Sequence, residues 1–240
     1  MAIKVPNTSI NLGNSRKATE RKSIYLDIPM NGSKQVRFMP LDNEDGMLFR
    51  LVGLHYKFKE DGQERAYACT RIHGDSNQCA FCDTIDFFRK TGTKTEKDLV
   101  DSFKGFGLSE NFYIQVIEKE SAEEGSKLLR VPRGFTDTVH EMEAMRQANG
   151  MTSLIDPENG EWYVVGRSNS TGKVKWTVMG TSRVQSLDSI LPTWQDKFIE
   201  SMLDAVNPKV LTRAEQIQAL SNNYGSTLTL EKVPALKLKG

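Results

Sequence analysis

The feature that most restricts this chain is a knot of thiols. Its only three cysteines, Cys69, Cys79 and Cys82, fall within fourteen residues of a 240-residue sequence. An odd, crowded set makes a poor disulfide framework. Cys79-Ala80-Phe81-Cys82 is a C-x2-C knuckle, a tight turn that aims two sulfurs at one point. Zinc takes sulfur and imidazole donors in such tetrahedral sites. A fourth donor is needed, and His55 and His73 flank the cysteines. Cys69-x3-His73 is compact but confines all four ligands to one loop. His55 instead would pin residues 56–68 as a ribbon-like hairpin. Spacing alone leaves both open. The polar run from His73 to Gln78 argues against three cysteines that merely pack as small apolar groups.

Lys plus Arg number 32 against 31 Asp plus Glu, a net charge of +1. That excludes a protein basic over its whole surface, but not a local basic groove. No apolar run approaches the roughly 20 residues of a membrane span. Met1-Ala2-Ile3-Lys4-Val5-Pro6 lacks the apolar stretch of a secretory signal, so the expectation is neither membrane nor export.

Residues 1–23 carry Lys4, Arg16, Lys17, Arg21 and Lys22 against Glu20 alone and read as a flexible basic arm. Ile24–Ile28 and Lys34–Met39 predict a hairpin around Pro29–Ser33. Leu48–Phe58 and Arg65–Cys69 are strand-like about the turn Glu60-Asp61-Gly62, and a polar, helix-capable stretch runs from Ile85 to Phe103. Strands return at Phe112–Ile117 and Lys127–Val131. Val139, Met142, Met145 and Ala148 then recur at helical spacing up to Asn149-Gly150, both methionines being expected to fill core. Trp162–Val165 and Val174–Val178 form another pair. A helix with Trp194, Phe198 and Met202 is expected next, then one opened by the capping box Thr212-Arg213-Ala214-Glu215. Seven short strands with accessory helices predict a mainly β protein, and a five-stranded Greek-key barrel accounts for them.

The sequence points away from an enzyme. A zinc deaminase needs Glu two residues after its ligand His and Pro before its paired cysteines. Lys57 and Asp75 follow the histidines at that spacing, and Gln78 precedes Cys79. Three sulfurs and an imidazole would also fill a zinc ion, leaving no open position. No P-loop, dinucleotide fingerprint, H-E-x-x-H or G-x-S-x-G occurs. Binding of single-stranded nucleic acid asks instead for cations beside aromatic faces. Tyr56, Lys57, Lys59, Arg65, Arg89, Lys90, Phe103, Lys104 and Phe106 interleave them. Tyr56, Phe103 and Phe106 are expected to be exposed because they adjoin basic or glycine-rich segments, and Trp176 to lie in the core. A zinc-ribbon module that joins proteins of a replication or transcription complex is the alternative.

Leu54-His55-Tyr56-Lys57-Phe58-Lys59, then Cys69, His73-Gly74-Asp75 and Cys79-x2-Cys82 resemble the zinc segment of the T-even-type bacteriophage single-stranded-DNA-binding proteins, the replication helix-destabilising family. Val36-Arg37-Phe38-Met39-Pro40 is similar to a family strand, Phe112–Ile117 to its central strand and Trp194–Val206 to its late helix. The resemblance implies an OB-fold over residues 24–224 with a zinc-binding subdomain inserted at 48–107, and one structural zinc held by His55 rather than His73. It implies coating of single-stranded DNA, cooperatively and with little sequence preference, in phage replication, recombination and repair within the infected host's cytoplasm. Replication and recombination proteins are implied as further partners. Tyr113, Arg130 and Arg133 would join Phe103 in the DNA cleft. Arg16-Lys17-Ala18-Thr19 or Arg21-Lys22-Ser23 would mediate contact between neighbouring copies. Three departures stand out. The family's Lys-Arg-Lys is here Gly107-Leu108-Ser109, its knuckle proline is Ala80, and residues 225–240 carry no acidic tail.

Overall fold

A computed structural model describes residues 24–39, 48–74, 78–169, 172–197, 199, 205–206 and 208–236. The basic arm with Arg16, Lys17, Thr19, Arg21, Lys22 and Ser23 lies outside them, as do Pro40, Asp75, Phe198 and Met202.

The described residues are mainly β, with an open antiparallel sheet of seven strands. These are β1 (Gly32–Phe38), β2 (Arg50–Glu60), β3 (Gln63–Ala68), β4 (Leu108–Glu118), β5 (Lys127–Val131), β6 (Glu161–Asn169) and β7 (Val174–Val184). Their order is β3-β2-β4-β1-β6-β7, with β5 also paired to β4. The long strand β4 is the spine. Its first half pairs with β2 and its last residues with β1, while β5 takes the other edge. Its alternation separates three environments. Ile114 and Val116 enter the main core, Tyr113 joins a small cluster with Val52, Leu54 and Leu128, and Ile117 packs with Met39 and Trp162.

Three short helices, α1 (Thr70–His73), α2 (Ala80–Thr91) and α3 (Lys94–Leu99), follow β3. Helix α4 (Arg133–Ala148) sits between β5 and β6 in sequence, α5 (Leu187–Ile190) follows β7, and α6 (Arg213–Tyr224) comes last. Phe135 and Val139 of α4 plug the main core. Leu129 and Val131 of β5 belong to that core, and the half-buried Trp176 and Val178 of β7 pack against it. The sheet therefore curls, although no pairing among the described residues joins β5 to β7. Helix α6 starts with the expected capping box, Thr212 Oγ1 accepting from Glu215 N at 3.4 Å.

Three expectations are corrected. Residues 24–28 do not form a hairpin with β1. Tyr25 instead bridges in parallel to Leu128 of β5, because β1 is already flanked by β4 and β6. Met145 is 67% exposed, since α4 turns it away from the face that carries Phe135 and Val139. Trp194 lies ahead of a 3-10 turn, Gln195–Lys197, rather than within an α-helix.

Two buried charges brace β1 and β4. The Arg37 guanidinium, fully buried, donates to the carbonyls of Phe38 at 2.9 Å and Leu154 at 3.0 Å, and to that of Asp156. A Cβ on Gly160 would overlap that guanidinium, so glycine there makes room for it. Glu118 accepts from Lys127 at 2.8 Å, Ser121 at 2.9 Å and Lys34. Burial alone would raise the Glu118 carboxyl, but these donors outweigh it and bring it down to about 2. A carboxyl held below its unfolded value of about 4.3 stabilises the fold above that pH, and the benefit fades as pH falls towards 2. Urea unfolding of the wild type should therefore lose on the order of 2–3 kcal/mol between pH 5 and pH 2.5 through this group. Glu118→Gln should be less stable at pH 7 and show a correspondingly shallower acid decline.

Candidate metal centre and adjoining cleft

Strand β2 builds the candidate metal centre on one face and a cleft on the other. Successive strand residues point to opposite sides. His55 faces the aromatic cluster of Phe58, Phe81 and Phe106, while Leu54 and Tyr56 line the cleft. A regular strand would place Lys57, not Phe58, on the face of His55. The register shifts between His55 and Phe58, and Lys57 adopts φ +67°. This bulge inserts one residue and returns Phe58 to the metal side. The turn beyond is Asp61-Gly62, both left-handed at φ 52° and 76°, as a tight two-residue hairpin requires.

Cys69 follows β3 as the N-cap of α1, Cys79 is the N-cap of α2, and Cys82 lies in its first turn. Two helix N-termini thus point partial positive charge at sulfurs that must ionise. The donor atoms of His55, Cys69, Cys79 and Cys82 all lie within 4.8 Å of one another, and all four residues are buried. Cys69 and Cys82 sulfurs are 3.5 Å apart, and His55 Nε2 is 3.6 Å from Cys79 Sγ and 3.7 Å from Cys82 Sγ. A tetrahedral ion with bonds of about 2.3 Å to sulfur and 2.05 Å to nitrogen separates its donors by roughly 3.6–3.8 Å. The cluster has the dimensions of a one-ion site.

His55 Nδ1 donates to the Phe106 carbonyl at 3.0 Å, leaving Nε2 to face the sulfurs. Burial opposes a charge on this ring, but Cys69 and Cys79 outweigh it and raise His55 to about 9. Hydrogen bonds from Cys69 and Cys82 push the Cys79 thiol far down, while the same neighbourhood and burial push Cys82 up. Three packed sulfurs share protons awkwardly, and a cation that displaces them removes the conflict. His73 is not in the set. Its Nε2 accepts the Gly53 N–H at 2.9 Å, and burial lowers its affinity for a proton.

The C-terminal segment roofs the site. Leu211, Leu220, Leu228, Val233 and Leu236 share one apolar cluster with Cys69, Cys79, Cys82, Phe81 and Phe88. Gln216, fully buried on α6, accepts from Ala80 N at 2.8 Å and donates to Thr70 Oγ1 at 3.0 Å and Leu211 O at 3.1 Å. One side chain thus ties α6 to the N-termini of α1 and α2. Tyr224 donates to the Lys57 carbonyl, bracing the bulge.

Across β2 lies an open cleft of about 1280 Å3. Of the sequence candidates, it gathers Tyr56, Arg65, Tyr113, Arg130 and Arg133. Tyr25, Arg167, Trp176 and Lys209 were not anticipated there and line it too. Tyr25 and Tyr113 rings lie 6.3 Å apart, and burial raises the Tyr113 hydroxyl to about 12. Arg167 sits over the Trp176 ring at 5.6 Å. Trp176 is therefore half-buried rather than a core residue, with its ring edge-on to Phe135 at 5.7 Å.

Lys57, Lys59, Arg89, Lys90, Phe103 and Lys104 do not line this cleft. Phe103 is 89% exposed, and Lys104 pairs with Asp98 at 2.9 Å. Phe106 is fully buried, contrary to expectation. Gly105 and Gly107 lie so close to the Leu99 and Asp101–Ser102 backbone that a Cβ on either would clash. The glycines here permit a close turn that drives Phe106 inward. A register count across the β6–β7 hairpin would have paired Arg167 with Trp176. Nothing in the sequence marks Lys209.

No helix of the described residues is long and apolar enough to cross a membrane. A scan against protein-family models and a search of curated proteins both return no match to this chain.

Metal analysis after dialysis against a weak chelator should find one ion per chain. His55→Ala and Cys82→Ser should lose it and melt earlier, whereas His73→Ala should keep it. Retention by His55→Ala with loss by His73→Ala would reverse the assignment.

Proposed function

We propose that this protein is a non-catalytic single-stranded-DNA-binding protein whose ion is a structural zinc. The observation that carries this reading is the cleft, where Tyr25, Tyr56 and Trp176 interleave with Arg130, Arg133 and Arg167. Aromatic faces for bases and cations for phosphates are the two ingredients of a single-strand groove. Its volume exceeds the roughly 300–1,000 Å3 of small-molecule pockets, which suits a polymer. The sulfur-rich donor set suits zinc, and four protein donors close the coordination shell as structural sites do.

The fold supports the same reading. Outside residues 48–107 the described residues form five strands, β1, β4, β5, β6 and β7, paired β5-β4-β1-β6-β7. A contact between β5 and β7 is all that an OB-type barrel would add, and such barrels are only partly closed. OB-folds bind oligonucleotides on the face of their second and third strands and through the loops after the first and fourth. Counted among these five, Tyr113 and Arg130 stand on the second and third strands. Tyr56 and Arg65 belong to the long insertion after the first, and Arg167 and Trp176 flank the loop after the fourth. Coating alongside neighbouring copies, partners in replication, recombination and repair, and a phage-infected cell as the setting follow from the sequence resemblance and belong to the proposal.

The test is quenching of intrinsic fluorescence by oligo-dT at two salt concentrations. Binding should weaken steeply with salt. Tyr56→Ala should cost about 1–3 kcal/mol, the worth of one stacked base, and Arg130→Ala should flatten the log–log salt slope by about one. Stripping the zinc should weaken binding as well, because β2 carries both His55 and Tyr56. Absence of salt-dependent quenching would favour a protein-interaction module and overturn the proposal.

A further inference from the structure

The two walls of the cleft differ in charge. On the barrel side, Arg130 and Arg133 are exposed and have no carboxylate within 4.0 Å among the described residues. Among the described residues the carboxylate that Arg167 meets is that of Asp27, at 4.0 Å, and it is 90% exposed. On the side of the β2–β3 hairpin the cations are already engaged. Glu60 holds Lys209 at 2.6 Å and lies 3.8 Å from Arg65, while Glu64 lies 3.9 Å from Lys57. Glu60, Glu64 and Glu110 all line the cleft. One wall is open to phosphate, and on the other carboxylates and cations offset one another.

From this asymmetry we infer that the wall whose cations are held by carboxylates makes the cleft selective for single strands over duplexes, with Glu60 and Glu64 as the specificity-determining residues. The inference rests on the DNA-binding reading above and deepens it. A single strand has one row of phosphates, which can follow Arg130 and Arg133 while its bases turn to Tyr25 and Tyr56. A duplex has a second row on its opposite side, and both strands together place one charge every ~1.7 Å along the axis. Seated in the same cleft, that second row meets Glu60 and Glu64, whose neighbouring cations are spent. Discrimination through repulsion of the wrong ligand needs no additional contact to the right one.

The full chain carrying E60Q and E64Q together is compared with wild type. The probes are oligo-dT and a hairpin duplex of equal phosphate number, each at two salt concentrations. Both glutamates line the cleft and are partly exposed, and an unchanged metal content verifies the fold. Duplex affinity should rise about tenfold or more, while oligo-dT affinity should change less than about threefold. Arg133→Gln, on the opposite wall, should weaken both ligands and leave their ratio unchanged. Equal gains for both probes would make the carboxylates a general brake and overturn the inference, as would no gain for the duplex. A wild type that holds oligo-dT while E60Q/E64Q keeps the ratio sinks the selectivity alone. A wild type that fails to hold oligo-dT sinks the DNA-binding reading with it.

Discussion

The structure depends on one strand serving two masters. His55 and Tyr56 are adjacent in β2 and face opposite ways, one into the sulfur cluster and one into the cleft. Whatever fixes the imidazole therefore fixes the tyrosine. The bulge at Lys57 makes this arrangement possible, because it lets Phe58 return to the aromatic packing under the imidazole without rotating Tyr56 away. Dispersion and ring contacts hold Phe58, Phe81 and Phe106 at centroid separations of 4.7–5.6 Å, so the strand has little freedom to twist.

The metal donors were legible because their chemistry is local. Cys69, Cys79 and Cys82 sit close in sequence, and the C-x2-C turn leaves few alternatives for where the sulfurs point. The choice between His55 and His73 was not legible from spacing. It depends on Gly53 offering its N–H to His73 and Phe106 its carbonyl to His55, and Phe106 lies 51 residues from the ring it orients. Strands and caps were largely readable from alternation and from the Thr212–Glu215 box. Their partners were not, as residues 24–28 illustrate by docking on β5 instead of β1.

Exposure was the weakest inference, for a physical reason. Glycines beside an aromatic suggest an open loop, yet Gly105 and Gly107 serve close backbone approach, which buries Phe106 and leaves Phe103 outside. Trp176 erred the other way, since an apolar face against Phe135 does not prevent its other side from meeting Arg167 and the cleft. Cleft membership is a property of the curled sheet. Tyr25, Trp176 and Lys209 come from three distant segments, and no window of sequence contains them together.

The roof over the sulfur cluster has a kinetic meaning of its own. All four donors are present by residue 82, but the helix that shuts them from water begins at Arg213 and is stitched down through Gln216. Donor chemistry sets how tightly an ion is held at equilibrium. How fast it trades places with ions in solution depends instead on how often that distant helix lifts, a local opening with a free energy of its own.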